Sequence, residues 1–90
     1  MSPDREREQQ LPTVLRANGY RLYFYSHEPG EPAHVHIDKG GASAKVWLTE
    51  VSLARNRGFR ASDLNAILRL VRDHQSALLE AWNGYFGESR

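Results

Sequence analysis

His34-Val35-His36-Ile37-Asp38-Lys39-Gly40-Gly41-Ala42-Ser43-Ala44-Lys45-Val46-Trp47 is two alternating runs joined by a pair of glycines. Alternation at a period of two is the mark of a half-buried strand, and a two-residue glycine link is a tight hairpin turn. The strands are expected over Ala33 to Lys39 and Ala42 to Leu48. If Gly40-Gly41 is the loop, Lys39 faces Ala42, Asp38 faces Ser43 and Ile37 faces Ala44. His36 then faces Lys45, Val35 faces Val46, and His34 faces Trp47. Val35, Ile37, Ala44 and Val46 fall on one face, to meet a core. His34, His36, Asp38, Ser43, Lys45 and Trp47 fall on the other. A slip of one residue would bury the charges, so alternation selects this register.

Working outward, Tyr20 to Tyr25 reads as a further strand, with Tyr20, Leu22 and Phe24 inward and Arg21, Tyr23 and Tyr25 outward. Asn18-Gly19 before it is a hairpin signal, which makes Leu11 to Leu15 a short edge strand or an extended lead-in. Glu28-Pro29-Gly30-Glu31-Pro32 is a turn-rich loop. Val51 to Arg55 can add a short strand, and Asn56 to Phe59 reads as a loop. From Ser62 the period changes. Leu64, Ile67, Leu68, Val71, Leu78, Leu79 and Trp82 recur at helical spacing, interrupted near His74. Ser62 or Ala61 lies at the helix start, and Asp63 favours the exposed amides of its first turn.

The expected fold is therefore α+β: a small curled antiparallel β-sheet of three to five strands, one face covered by a long or bent C-terminal helix. Residues 1–10 read as a flexible tail, 11–87 as a single domain, and 88–90 as a second tail. Ninety residues support only a modest core, so a homodimer or a small partner protein is expected. There is no cysteine, which excludes disulfides, thiolate metal sites and cysteine nucleophiles. No apolar run suits a membrane span or an export signal, so a cytoplasmic protein without membrane association is expected. Net charge is +1, too little for a general pull towards nucleic acid. Between residues 16 and 60, however, seven Lys/Arg stand against four acids, compatible with a phosphate-bearing ligand.

The outward face carries the candidate chemistry. Three of the four histidines lie between residues 27 and 36, with His34 and His36 emerging on one side of a strand. One reading is acid/base cleavage of a phosphodiester. The histidines would pass protons, Lys45 would offset phosphate charge, and Tyr23 would orient or donate. A second is a metal site of His27, His34 and His36, completed by an acid such as Glu28, Glu31 or Asp38. The third is binding without chemistry, with Arg21, Tyr25 and Trp47 meeting RNA, DNA or another protein. No cofactor motif is present. Aromatic residues also favour strands for their packing alone, so the face equally suits a subunit interface. Trp82, Tyr85 and Phe86 read as core or dimer contacts, and His74 as a helix-surface residue.

Glu28-Pro29-Gly30-Glu31-Pro32-Ala33-His34-Val35-His36, preceded by His27, resembles a segment of the uncharacterised bacterial family catalogued as domain of unknown function 4160. So do Ala44-Lys45-Val46-Trp47-Leu48, Gly58-Phe59 and Leu78-Leu79-Glu80-Ala81-Trp82-Asn83-Gly84-Tyr85-Phe86, and the likeness runs from about residue 11 to 87. The resemblance implies a short cytoplasmic protein encoded beside a second small protein. That arrangement is similar to toxin–antitoxin modules, and some relatives carry that label or the label of transcriptional regulator. It adds weight to a protein partner and, more gently, to action on RNA.

Overall fold

The computed structural model describes residues 13–25 and 30–87. The expected tails, 1–10 and 88–90, lie outside the described residues, as do His27 and Glu28. Five strands come first: β1 (Leu15–Ala17), β2 (Tyr20–Tyr23), β3 (His34–Lys39), β4 (Ala42–Trp47) and β5 (Ser52–Arg57). Two helices follow, α1 (Ala61–Asp73) and α2 (Gln75–Phe86). The strands form one antiparallel sheet in the order of the sequence.

Local chemistry sets each turn. Asn18 and Gly19 sit at φ 54° and 85°, and Gly40 and Gly41 at φ 56° and 87°. Two successive left-handed residues make the hairpin turn whose twist matches its strands. The β3–β4 register is the one expected from Gly40-Gly41, from Lys39↔Ala42 through His34↔Trp47. The first strand differs. It occupies Leu15–Ala17, because the Asn18-Gly19 turn pairs Ala17 directly with Tyr20; Thr13 and Val14 precede it outside the strand, and Leu11 and Pro12 lie outside the described residues. β5 extends through Asn56 and Arg57, two residues beyond the strand expected over Val51 to Arg55.

The sheet is open, not curled. β1 and β5 stand at opposite ends of the order with no partner beyond them among the described residues. Four interstrand spacings of about 4.8 Å separate those edges by roughly 19 Å. Curling a sheet to closure needs strongly tilted, staggered strands of matched length, and β1 has only three residues. A single register shift interrupts the β4–β5 pairing, between Lys45 and Val46.

The inward face packs under the helices. Leu22, Phe24, Val35, Ile37, Val46 and Leu48 are fully buried, and meet Ile67, Val71 and Leu78 in one core cluster. Each such side chain contributes about 1.5–3 kcal/mol by leaving water. Asn56 brackets the chain before α1, its Nδ2 donating to the Phe59 carbonyl (3.1 Å) and its Oδ1 accepting from the Phe59 amide (3.0 Å). That seats Phe59 in the core. Arg60 takes the N-cap position expected of Ser62 or Ala61, and its amide donates to the Asp63 carboxylate at 3.3 Å.

The expected interruption near His74 is a break between two helices. The His74 amide is shared between the carbonyls of Leu70 (3.2 Å) and Val71 (3.1 Å), and its Nδ1–H donates to Leu70 as well (3.0 Å). Gln75 Nε2 then donates to the carbonyls of Leu48 (2.7 Å) and Thr49 (3.0 Å). A side chain at the break thus holds the β4–β5 turn, satisfying backbone acceptors that a strand no longer uses.

Candidate functional site

Pairing places the candidate side chains in rows across the face opposite the core. Tyr23, His36, Lys45 and Arg55 make one row, and Arg21, Asp38, Ser43 and Arg57 the next. His34, Trp47 and Ser52 make a third. The sidedness matches the alternation, but the exposure does not. His34 is 0% exposed, His36 4% and Tyr23 3%.

Aromatic rings surround the two imidazoles. His36 stacks on Tyr23 (centroids 5.6 Å apart), meets Tyr25 edge-on (4.6 Å), and contacts His34 at 5.2 Å. His34 lies against Trp47 at 5.6 Å and against Trp82 of α2 at 5.0 Å. Trp82 also packs edge-on against Phe24, a core-side residue, at 5.3 Å. Its indole therefore reaches both faces of the sheet, past the start of β3 where the face distinction ends. The helical stripe identifies Trp82 as apolar packing, but nothing in its spacing points to His34.

Hydrogen bonds fix the polar atoms. His34 Nδ1–H donates to the Pro32 carbonyl at 2.8 Å. This assigns its proton, because a carbonyl only accepts. Glu31 Oε1 stands 3.7 Å from the same nitrogen and 2.6 Å from Lys45 Nζ. Lys45 in turn lies 4.8 Å over the Trp47 ring. Among the described residues, no buried side-chain nitrogen or oxygen lacks a partner.

A second network runs along β2. The Tyr23 hydroxyl donates to Asp38 Oδ1 at 3.0 Å. Arg21 lies 4.4 Å over the Tyr23 ring, with Nη1 3.9 Å from Asp38 Oδ2, and its Nε donates to Thr13 Oγ1 at 2.8 Å. Burial pushes the Tyr23 phenol well above its ordinary range, with hydrogen bonds to Tyr25 and Asp38 and the charge of Asp38 adding to the effect. A phenol held in this way donates a hydrogen bond and does not act as a base near neutrality.

The structure thus gathers Tyr23, Tyr25, His34, His36, Lys45, Trp47 and Arg21 on one side of the sheet. Asp38 lies on the same face, as the alternation requires, and the structure adds Trp82 and Glu31, the latter expected only as a candidate metal ligand. Among the described residues, no three His, Asp or Glu side chains are grouped to hold a metal. The third histidine of the metal reading, His27, lies outside them.

This is a small α+β protein with an open antiparallel meander, two helices on one face and a buried histidine–aromatic cluster on the other. The chain belongs to the family described as Domain of unknown function (DUF4160), whose model matches residues 19–83. No curated protein and no solved structure matches the chain significantly. No helix among the described residues is long and apolar enough to cross a membrane.

Proposed function

We propose that this chain is a non-enzymatic protein-binding module, in which the histidine–aromatic cluster is internal architecture rather than a reaction site. The supporting observation is the burial of His34 and His36 together with the commitment of their neighbours. A general acid or base must come within hydrogen-bond reach of the proton it transfers. His34 instead donates to Pro32, Lys45 is paired with Glu31, and Tyr23 is held by Asp38. Phosphodiester cleavage would require opening these contacts before substrate arrived. A small core and the family resemblance, which implies a small partner encoded nearby, favour the same reading.

The test has two arms. Labelled single-stranded RNA is incubated with wild-type chain and with His36→Gln and Lys45→Met variants, and the chain is co-expressed with the product of its neighbouring gene. The expected result is no variant-sensitive cleavage and a stoichiometric complex by light scattering. Cleavage by the wild type that His36→Gln abolishes would overturn the reading.

A further inference from the structure

We propose that β5 is the docking edge of this module, and that its occupant is an extended acidic segment of another protein, added to the sheet as a sixth strand. The inference rests on the binding-module reading above and names the site and chemistry of the partner.

All six residues of β5 are exposed, and its far side has no strand partner among the described residues. Such an edge presents backbone donors and acceptors to any chain that can lie beside it. Side chains decide which chain that is. Arg55 pairs across from Lys45 and Arg57 from Ser43, so both arginines rise on the histidine-bearing face. Leu53 pairs with Val46, on the core side, yet remains 38% exposed at the edge. The register shift leaves Ala54 as the extra residue between them.

Charge selects the occupant. β5 contains no acidic residue, and among the described residues neither arginine is held in an ion pair. Lys45, the cation opposite Arg55, is already neutralised by Glu31. A second copy docking through β5 would bring its own arginines against these. Charged edges and bulges are the usual means of preventing such self-pairing. An incoming strand with carboxylates on one face and apolar side chains on the other meets both Arg55 and Arg57 and the exposed Leu53. The recognised pattern is therefore acidic–apolar alternation in an extended segment.

The test uses the full chain, isotope-labelled for NMR, with an end-blocked synthetic peptide of alternating Glu and Val as probe. A Lys–Val peptide and a block-ordered Glu/Val peptide serve as controls. The expected result is amide shifts and exchange protection within Ser52–Arg57 for the alternating acidic peptide. Affinity should fall roughly tenfold or more in an Arg55→Glu/Arg57→Glu variant, the equivalent of about 1.4 kcal/mol. These side chains are exposed, so the variant keeps its fold, checked by its unchanged remaining spectrum. Equal binding of the Lys–Val peptide, shifts confined to other strands, or β5-dependent dimerisation of the chain alone would overturn the proposal. So would tighter binding of single-stranded RNA than of the peptide at β5. Failure at β5 with a stoichiometric protein complex still formed sinks this inference alone. Histidine-dependent RNA cleavage sinks the module reading itself.

Discussion

The His34 imidazole and the Trp82 indole lie with centroids 5.0 Å apart, inclined at 53°. This contact joins the start of β3 to the penultimate turn of α2. Trp82 also meets Phe24 and, at 4.3 Å, Phe86. One side chain therefore couples the helix, the apolar core and the histidine cluster. The cluster depends on α2 being docked.

Trp82→Ala should be the most damaging single change at this junction. Removing a buried tryptophan costs about 3–5 kcal/mol, a large part of what a domain of this size possesses. Trp82→Phe keeps an aromatic ring against Phe24 and should lose distinctly less. Urea unfolding followed by far-ultraviolet circular dichroism measures both. The histidine ring resonances of the Phe variant report whether His34 stays packed. Equal losses for the two substitutions would show that the aromatic ring kept against Phe24 adds nothing.

Tyr23 makes stability depend on alkaline pH. Its phenol is raised above the unfolded value of 10.0, chiefly by burial and then by hydrogen bonds to Tyr25 and Asp38. The folded state thus holds this proton more tightly than the unfolded chain. The resulting stability is fully present below pH 10 and is lost as pH rises above it towards the folded value. Tyr20 adds in the same direction, raised by burial and by the charge of Asp63. Unfolding free energy should fall steeply above about pH 10, and Tyr23→Phe should flatten that fall while costing about 1 kcal/mol or somewhat more at neutral pH. Parallel alkaline profiles for variant and wild type would contradict the assignment.

Much of this arrangement was legible in the residues. Gly40-Gly41 pinned the β3–β4 register because a two-residue turn leaves no freedom in the pairing that follows. Alternation then told which side His34 and His36 occupy. It could not tell whether that side is covered, since a face and its burial are separate facts: Trp82 covers His34 from a helix some fifty residues away in sequence. Leu15, the last leucine before the turn, suggests that the first strand ends there, although Asn18-Gly19 carries its pairing on to Ala17. Asn56 and Arg57 read as loop because an edge strand outside the helical layer carries no apolar constraint. An open edge was likewise illegible, because closure depends on strand tilt and length across the whole sheet.

The Lys45–Glu31 pair should contribute little through charge and more through packing. Glu31's side chain is 45% exposed, while that of Lys45 is 13% exposed and lies over Trp47. Exposed pairs are worth about 0–1 kcal/mol, and the aliphatic stem of a lysine covers apolar surface independently of its charge. Glu31→Gln and Lys45→Met should each stay within about 1 kcal/mol of wild type. Lys45→Ala, which uncovers Trp47, should lose more. Chemical unfolding at low and high salt checks this. A large salt-sensitive loss in Lys45→Met would mean that the charge matters more than the stem.

Val51 is the strained position of the β4–β5 turn. It is β-branched and buried, yet sits at φ 55°, in the left-handed region. Such a conformation costs on the order of 1–3 kcal/mol for a side chain of this shape. Burial of its two methyls and the hold of Gln75 on the Leu48 and Thr49 carbonyls keep the turn in place. Val51→Gly removes the strain and the buried methyls together, so the two effects oppose and stability should change by less than about 1 kcal/mol. Val46→Gly in β4 relieves no strain and opens the core, so it should cost several times more. Gln75→Ala should remove the turn's anchor, and combining it with Val51→Gly should cost more than the sum of the two alone. Thermal and urea unfolding of the four variants form the test. A Val51→Gly loss as large as that of Val46→Gly would mean the left-handed valine carries no strain.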